Sequence, residues 1–173
     1  MRTALSRRTD LDFATVCEEN LDGVFAYLVY LTGNRTVAED LAAETFERAL
    51  RRFRRYDPRR GTARAWLLTL ARSTALDHFR SEQRRRRREG TFALLESDVD
   101  EGDVFGHGFS PPLEAALQSL SAGEREVVAL RVLLDLDGET AARLLGISPT
   151  ACSTRLHRAL QKLEERVRDD VRA

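Results

Sequence analysis

Hydrophobic positions along this chain follow a helical period almost throughout. Apolar residues recur three and four positions apart, and alternating segments rich in β-branched residues never extend beyond a few positions. The pattern predicts three helices before residue 89, over about 11–31, from 36 to 53 or 55, and from 62 toward the arginine run at 84–88. After residue 112 it predicts helices over 113–120 and 121–134 and a helical pair across 136–163. The expected fold is all-α, with two small helical domains.

Polar residues at the predicted helix ends support these boundaries. Thr36 with Glu39 and Ser121 with Glu124 have the spacing of capping boxes, in which side chain and backbone satisfy each other's free donors. Ser148 stands before the last helix as a cap. The first helix is expected to end at Gly33, and the last to start at Pro149, where a missing N–H has no cost.

The last two predicted helices are joined by a three-residue turn, Gly146 to Ser148, which is typical of a helix-turn-helix. The second of them carries an apolar stripe formed by Cys152, Leu156, Ala159, Leu160 and Leu163. Its opposite side carries Thr150, Thr154, His157, Arg158 and Gln161. Such a face suits a helix that reads DNA, but it equally suits the solvated side of an ordinary helical hairpin. This segment alone leaves both interpretations open.

The zero net charge of the chain conceals a strong asymmetry. Residues 1–88 carry 19 basic and 12 acidic side chains, residues 89–112 carry six acidic and no basic ones, and residues 113–173 carry 9 basic and 10 acidic ones. A basic first part indicates a polyanionic partner. We therefore predict a first domain over 1–88, a flexible acidic linker over 89–112 and a second domain over 113–173. Phe92, Leu94 and Leu95 could instead form a brief docked helix inside the linker.

Catalytic, metal and membrane roles find little support in the sequence. Cys17 and Cys152 lie far apart among apolar neighbours and are expected in the core, with no ligand at metal-binding spacing. Asp77 and His78 are adjacent, so on a helix they point about 100° apart, and His107 falls in the linker. No apolar run is long enough to span a membrane, and the first residues lack the apolar core of a signal peptide. We expect a cytoplasmic protein that is not an enzyme, has no cofactor and does not insert into membranes.

Arginines cluster around the turn between the second and third predicted helices. Phosphate contacts from such a cluster give affinity without sequence information, whereas opening a duplex also requires aromatic or pocket-like trapping of unpaired bases. Phe53, Tyr56 and Trp66 are available for that role, although Leu67 and Leu70 beside Trp66 favour a core position for the indole. The arginines are Arg51, Arg52, Arg54, Arg55, Arg59, Arg60 and Arg64.

Two separated parts of the chain resemble the extracytoplasmic-function, or group IV, sigma factors of bacterial RNA polymerase. The segments AEDLAAETFERAL (38–50) and YDPRRGTARAWLLTLARSTALDHFR (56–80) resemble region 2 of that family. The segments LSAGEREVVALRVLLDLDGETAARLLGIS (120–148) and STRLHRALQKL (153–163) resemble region 4. The resemblance implies a sigma factor that binds core RNA polymerase and promoter DNA, and it implies an anti-sigma factor as a further partner. The polymerase would perform the chemistry.

The resemblance also assigns residues to three interfaces. It implies polymerase contacts for Asp40, Leu41, Glu44 and Phe46 on the second helix, where Glu39 and Glu47 add to an exposed acidic patch. Without the family, carboxylates favoured by a helix dipole would explain that patch. For the minus-ten element it implies Arg59, Gly61, Thr62, Arg64, Ser73, Asp77 and Arg80. For the minus-thirty-five element it implies Thr150, Ser153, Thr154, Arg155, His157 and Arg158.

Two positions depart from the family pattern. Ser73 stands where many members have asparagine, which puts the minus-ten base preference in doubt, and Ser153 stands where the recognition helix usually has lysine. Two other functions remain open from the residues: a stand-alone helix-turn-helix regulator with an N-terminal protein-interaction module, and an enzyme acting on nucleic acid. The regulator would bind duplex operator as a dimer, and the enzyme would need metal ligands that we do not find in the sequence.

Overall fold

The computed structural model describes residues 12–88 and 111–172, and it confirms the all-α prediction with seven α-helices and no strand in that part of the chain. Most of the predicted linker, with its apolar cluster Phe92, Leu94 and Leu95, lies outside the described residues. The helices are α1 (Phe13–Thr32), α2 (Arg35–Arg52), α3 (Ala63–Arg88), α4 (Pro111–Gln118), α5 (Ala122–Val128), α6 (Gly138–Leu145) and α7 (Pro149–Arg172).

The first three helices pack pairwise into a bundle, called here the first bundle. Helix α2 turns one stripe toward this bundle: Leu41, Thr45 and Ala49 are buried, and Phe53, directly after the helix, is half-buried. Cys17 is only half-buried, in contrast to the expected core position, because it follows the buried Val16 and faces away from it. The remaining core is formed by Val24, Tyr27, Leu28, Tyr30, Ala38, Ala42, Leu67, Leu68, Leu70, Ala71 and Ala75.

The predicted capping box at Thr36 is wrong, because α2 starts one residue earlier. Asn34 is the cap, and its side-chain oxygen accepts a hydrogen bond of 3.0 Å from the Val37 N–H. Asn34 follows Gly33, which ends α1 in the left-handed conformation as expected (φ 66°). Thr36 is therefore already inside the helix, and Glu39 pairs with Arg35 instead of folding back to the helix start.

Helix α3 starts where the sequence indicated and includes the whole arginine run. The Thr62 hydroxyl accepts a hydrogen bond of 3.2 Å from the Ala65 N–H and so caps the helix. The helix continues without interruption to Arg88, which places the arginine run on a helix.

Helix α7 organises the second bundle by contacting α4, α5 and α6. Helix α4 begins two residues earlier than predicted, because Pro111 and Pro112 form its first turn. Proline is tolerated there because the backbone N–H groups of a first turn have no hydrogen-bond partner within the helix. The turn before α7 is confirmed, with Gly146 left-handed (φ 68°) and the Ser148 hydroxyl accepting from the Ala151 N–H at 3.1 Å. The core comprises Ala116, Leu117, Leu120, Val127, Val128, Ala129, Leu130, Leu134, Leu136, Ala141, Ala142, Leu144, Leu145, Cys152, Ala159 and Leu163.

The helix predicted over 121–134 does not keep one geometry. After Val128 it widens into a π turn over Ala129–Leu133, which closes with a 3.0 Å hydrogen bond from the Leu134 N–H to the Ala129 carbonyl. Asp135 then adopts φ 50°, and the chain turns so that Leu134 and Leu136 are both buried. The π turn and the left-handed Asp135 thus accompany the burial of both leucines.

The capping box at Ser121 is confirmed, and a lysine extends it. Glu124 accepts from the Ser121 N–H at 2.9 Å and from Lys162 Nζ on α7 at 2.7 Å. These hydrogen bonds, with that from Lys162 the largest cause, lower the pKa of Glu124 to about 2. The Glu124 side chain is only 11% exposed. Through its hydrogen bonds with Ser121 and Lys162, the carboxylate connects the start of α5 to α7.

This arrangement predicts a specific loss of stability in acid. The folded pKa of Glu124 is below its ordinary value of 4.5, so its contribution is present above about pH 4.5 and disappears as the pH falls toward 2. Between these pH values, the free energy of unfolding should fall by about 1–3 kcal/mol more in the wild type than in Glu124→Gln. This range takes into account that Lys162 is exposed, which weakens the pair. Denaturant unfolding at several pH values measures this difference, and parallel pH profiles would contradict it.

Candidate polymerase and nucleic-acid interfaces

Helix α2 presents an acidic face formed by Asp40, Glu44 and Glu47. Asp40 and Glu47 are exposed, and the Glu44 side chain is 45% exposed. Leu41 does not belong to this face, because it lies on the apolar stripe of α2 and points into the core, where it is 4% exposed. The predicted contact role of Leu41 is therefore reduced to supporting the helix from inside, whereas Phe46 is half-buried and partly available.

An apolar residue that we did not predict extends this face. Leu50 is 58% exposed at the end of α2, one turn beyond Phe46. It lies off the buried stripe, so its spacing in the sequence could have marked it as a surface residue. Exposed carboxylates beside exposed apolar side chains suit a protein partner rather than DNA.

A chain of charged side chains connects this face of α2 with α3. Arg48 donates to Glu44 Oε1 at 2.6 Å and to Asp77 Oδ2 at 3.2 Å, and Arg80 donates to Asp77 Oδ1 at 3.4 Å. Arg48 escaped the sequence analysis, although its spacing to Glu44 is that of a helical ion pair. The structure thus brings a predicted polymerase contact and two predicted minus-ten residues into one network.

Aromatic rings gather where the α2–α3 loop (residues 53–62) meets the first bundle. The ring centroids of Tyr56 and Trp66 are 5.0 Å apart, and Phe53 lies 5.0 Å from Phe13 and 6.3 Å from Trp66. Trp66 is half-buried. It therefore packs partly against the core, as its leucine neighbours suggested, and keeps part of its indole at the surface.

The α2–α3 loop is held in one shape by its own polar groups. The Tyr56 hydroxyl donates to the Gly61 carbonyl at 2.9 Å, and the Arg59 N–H donates to Asp57 Oδ1 at 3.0 Å. Gly61 has φ 152° and ψ 168°, a conformation that essentially only glycine adopts. Arg59 is exposed, and so is Thr62, the cap of α3.

A cleft of about 300 Å³ opens beside this loop. The rings of Tyr56 and Trp66 and the side chains of Arg55 and Arg60 line one wall, and α6 supplies the other with Thr140, Arg143 and Leu144. Aromatic faces can stack on unpaired bases, and neighbouring arginines can neutralise the attached phosphates. The first wall has the chemistry needed to hold single-stranded nucleic acid.

The remaining predicted minus-ten residues lie on α3. Ser73, Asp77 and Arg80 are all exposed, and their spacing of four and three residues puts them on one side of the helix. Arg64, at the start of α3, is exposed too, but its guanidinium end approaches α1, with Nη2 3.9 Å from the position that a Cβ would take on Gly23. Six of the seven predicted residues are thus exposed, and Gly61 is half-buried. Asp77 and Arg80 pair with each other, and Arg64 leans toward α1.

The recognition face of α7 is largely as predicted. Thr150, Ser153, Thr154, His157 and Arg158 are exposed. The buried stripe of α7 is narrower than predicted, because Leu160 lies about 80° around the helix from Cys152 and is 42% exposed.

Arg155 departs from the rest of this set. It is only half-exposed, and its Nη1 atom lies 3.2 Å from the position that a Cβ would take on Gly123. Its guanidinium thus lies over the first turn of α5, and Arg155 contributes to packing within the second bundle.

Replacing Gly61 by alanine should disturb the loop through the backbone alone. A Cβ at Gly61 would meet nothing within 4 Å, so no collision occurs, but the φ of 152° becomes strained by about 1–3 kcal/mol. We expect the affinity for a single-stranded minus-ten oligonucleotide to fall by about 5- to 150-fold. This range assumes that the whole strain energy is lost from the binding free energy. Gly138→Ala is the matched control, since its Cβ also enters open space and its φ is not positive. Equal affinities of the two variants would contradict this role of the loop.

Within residues 12–88 and 111–172, no group of three or more His, Cys, Asp or Glu side chains is placed to hold a metal ion. None of the helices in those ranges is long and apolar enough to cross a membrane.

Comparison with protein families gives two matches along the chain. The family model for sigma-70 region 2 matches residues 16–85, and the model for sigma-70 region 4 matches residues 112–163. The first match includes the acidic face of α2 and the α2–α3 loop, and the second includes α6 and α7.

Curated relatives point to the same family. The chain is 34% identical over 147 residues to the RNA polymerase sigma factor CarQ of Myxococcus xanthus, covering 82% of this chain and 81% of CarQ. It is 32% identical over 163 residues to the ECF RNA polymerase sigma factor BldN of Streptomyces coelicolor, covering 92% of this chain but only 62% of BldN. It is 29% identical to the ECF sigma factor SigX of Bacillus subtilis, covering 86% of this chain and 84% of SigX.

Solved structures share the fold. The sigma factor RpoE from Bartonella quintana, in complex with the anti-sigma factor NepR, superposes with a TM-score of 0.76 at 24% identity, covering 91% of this chain and 97% of RpoE. CnrH, in complex with the cytosolic domain of CnrY, gives a TM-score of 0.66 at 22% identity, covering 91% of this chain and 88% of CnrH. The two family matches, the identity to CarQ and the similarity to the ECF factors BldN and SigX lead to one conclusion. The chain belongs to the sigma-70 family of RNA polymerase sigma factors, in its extracytoplasmic-function (ECF) group.

Proposed function

We propose that this ECF sigma factor binds core RNA polymerase through the acidic face of α2 and reads a promoter at two places. The α2–α3 loop and the exposed side of α3 read the minus-ten element, and the recognition face of α7 reads the minus-thirty-five element. The polymerase carries out the chemistry, so the chain itself needs no catalytic group. Core polymerase and chromosomal DNA are both in the bacterial cytoplasm, which is where we propose that the protein acts.

The observation that carries this proposal is the wall of the cleft formed by Tyr56 and Trp66 beside Arg55 and Arg60. A regulator that binds intact duplex needs phosphate contacts and base-edge contacts, but it has no use for a stacking surface. Aromatic faces beside cations are what an unpaired base and its phosphates require. The wall therefore favours promoter opening over the stand-alone regulator.

The upstream element is assigned to α7 because Thr154, His157 and Arg158 form an exposed polar surface opposite the buried seam. Arginine reads guanine through two hydrogen bonds in the major groove, and threonine offers both a hydroxyl and a methyl group to base edges. Ser153, at the position where the family usually has lysine, is exposed as well and is too short to reach a phosphate as lysine would. We therefore expect that the sequence contacts of this helix depend mainly on Arg158 and Thr154.

Gel filtration with core polymerase and two labelled DNA fragments tests this function against the regulator. One fragment is a promoter duplex, and the other has the same sequence with an unpaired minus-ten segment. A sigma factor should co-elute with the core enzyme and bind the unpaired fragment more tightly in that complex. Binding of the isolated chain to the duplex as a dimer, without co-elution, would overturn the proposal in favour of a regulator.

We also propose that an anti-sigma factor binds this chain. RpoE and CnrH were each solved with a partner, NepR and the cytosolic domain of CnrY. In this chain, the half-buried Phe46 and the exposed Leu50 lie beside the acidic face and offer a similar protein both apolar and polar contacts. A tagged chain should capture one protein from the source bacterium that competes with core polymerase. Capture of polymerase subunits alone, at every growth condition tested, would contradict it.

A further inference from the structure

The two bundles are joined by a cluster of three polar side chains. Glu126 on α5 is 13% exposed, and its carboxylate accepts hydrogen bonds from the first bundle: Arg72 Nε donates to Oε1 at 2.8 Å and Nη2 to Oε2 at 3.3 Å. The Tyr27 hydroxyl also donates to Oε1, at 3.3 Å. Tyr27 itself is 1% exposed. The carboxylate of one bundle is thus held by an arginine and a tyrosine of the other.

The two bundles also meet outside this cluster. Helix α1 meets α5 and the π turn, and α3 meets α6. At Gly23 of α1, a Cβ would lie 3.8 Å from Leu134 Cδ2, and Leu134 is 3% exposed. Leu134 of the second bundle therefore comes close to α1 at Gly23 and leaves room there for one methyl group.

The polar cluster determines whether this contact can form. A carboxylate removed from water is tolerated only with charged and hydrogen-bonding partners, and a bidentate arginine is the strongest such partner. Burial and the Glu126 charge raise the pKa of Tyr27 well above 10, so its hydroxyl keeps the proton that it donates at neutral pH. Removing one partner would leave a buried charge or donor unpaired when the bundles are together, which disfavours the closed arrangement.

Closure confines the aromatic wall of the cleft and leaves the acidic face of α2 and the exposed face of α7 accessible. Thr140, Arg143 and Leu144 of α6 form the second wall of the cleft and face Tyr56 and Trp66. Asp40 and Glu47 on α2 and Arg158 on α7 are exposed in the same arrangement. The surface for unpaired bases is thus confined, while the polymerase and upstream surfaces are accessible.

Distance also separates the closed arrangement from promoter reading. Two elements centred about 25 base pairs apart lie about 85 Å apart along B-form DNA. A compact chain of 173 residues has a radius of gyration of only about 16 Å. The two bundles must therefore separate before both elements can be read by one molecule.

We propose that Arg72, Tyr27 and Glu126 form an interdomain latch that keeps the free sigma factor closed, with α6 confining the Tyr56 and Trp66 wall of the cleft until partners separate the bundles. What the confined wall does rests on the proposed function. The closure itself does not, since it depends only on contacts within the chain.

The single tryptophan of the chain, Trp66, gives a direct readout. Acrylamide quenching of its fluorescence and small-angle X-ray scattering of the full chain, without polymerase or DNA, should both report opening. In Glu126→Gln we expect roughly a twofold or greater rise in the quenching constant, because separation of the bundles removes the α6 wall of the cleft beside the indole, together with an increased radius of gyration. Arg72→Glu should open the chain in the same way, and Arg72→Glu combined with Glu126→Arg should restore part of the closure.

Gly23 offers a matched pair of variants with no change of charge. Gly23→Ala places its Cβ at an ordinary contact distance of 3.8 Å from Leu134 and should remain closed. Gly23→Leu extends three carbon atoms beyond that Cβ and should collide with Leu134 and open the chain. The other side chain within 4 Å of the Cβ is the flexible end of Arg64, which can move aside. Circular dichroism verifies that each variant remains helical.

Wild-type quenching and radius of gyration in both Glu126→Gln and Gly23→Leu would overturn the latch. An already extended wild-type chain would overturn it too. If Glu126→Gln loses its helical signal, Gly23→Leu decides between these outcomes. Neither result touches polymerase binding, so failure of the latch and failure of the proposed function are recognised separately.

Discussion

Replacing Asp40 and Glu44 by arginine is expected to abolish binding of core RNA polymerase while the first bundle remains folded. Asp40 is exposed, and Glu44 makes only a half-exposed surface pair with Arg48, which is worth about 0–1 kcal/mol to stability. The same two charges form the acidic face that we assign to the polymerase. Two reversed charges at a complementary interface produce repulsion, which costs several kcal/mol, in place of attraction.

Glu18→Arg with Glu19→Arg is the matched control for this double variant. Both residues are exposed on α1, and the substitutions change the net charge by the same amount at a place outside the acidic face. Surface plasmon resonance with immobilised core enzyme measures the affinities, and circular dichroism monitors the fold. If the α2 variant binds the core enzyme as well as the α1 variant does, the polymerase surface lies elsewhere.

The second large effect is expected on α7. Thr154→Ala with Arg158→Ala should weaken recognition of the upstream element and leave polymerase binding unchanged, because both side chains are exposed and lie far from the acidic face in sequence. A good base contact contributes about 1–3 kcal/mol of discrimination, which corresponds to a loss of about 5- to 150-fold in the preference for the correct sequence.

Arg166→Ala on the same helix separates base reading from general electrostatics. Arg166 is exposed two turns beyond Arg158, so its removal also lowers the positive charge of α7 but lies outside the first turns. Footprinting of the holoenzyme on promoters with intact and altered upstream elements compares the variants. An unchanged preference in the Thr154 and Arg158 variant, or an equal loss in Arg166→Ala, would contradict the assignment of this face.

Much of the fold could be predicted because the helical signals are local. The capping box of Ser121 with Glu124 and the turn from Gly146 to Ser148 are complete within a few residues, and the structure confirms both. The start of α2 was predicted wrongly because Asn34 and Thr36 are both possible caps and lie two residues apart. The π turn after Val128 was not predicted because it is associated with the packing of Leu134 and Leu136 in the second bundle. No local sequence pattern indicates that packing.

The same distinction between local and long-range signals applies to the candidate site residues. Exposed positions such as Asp40, Ser73 and Arg158 follow from helical spacing, whereas Leu41 was assigned to a partner although the same spacing places it in the stripe. The network through Arg48 joins residues 29 positions apart. The latch joins residues 54 and 99 positions apart. Contacts of such long range depend on how helices pack, and amphipathic pattern alone does not specify them.

Run-off transcription tests whether this chain directs initiation at promoters through both of its recognition surfaces. Purified core polymerase from the bacterium that encodes the chain is mixed with the full chain and with fragments of that bacterium's DNA, and the transcripts are mapped. We expect transcripts with fixed start sites that require the chain, and that disappear when the sequence about ten or about thirty-five base pairs upstream is scrambled. Transcription no greater than that of core polymerase alone, or equal transcription from the scrambled fragments, would contradict the assignment.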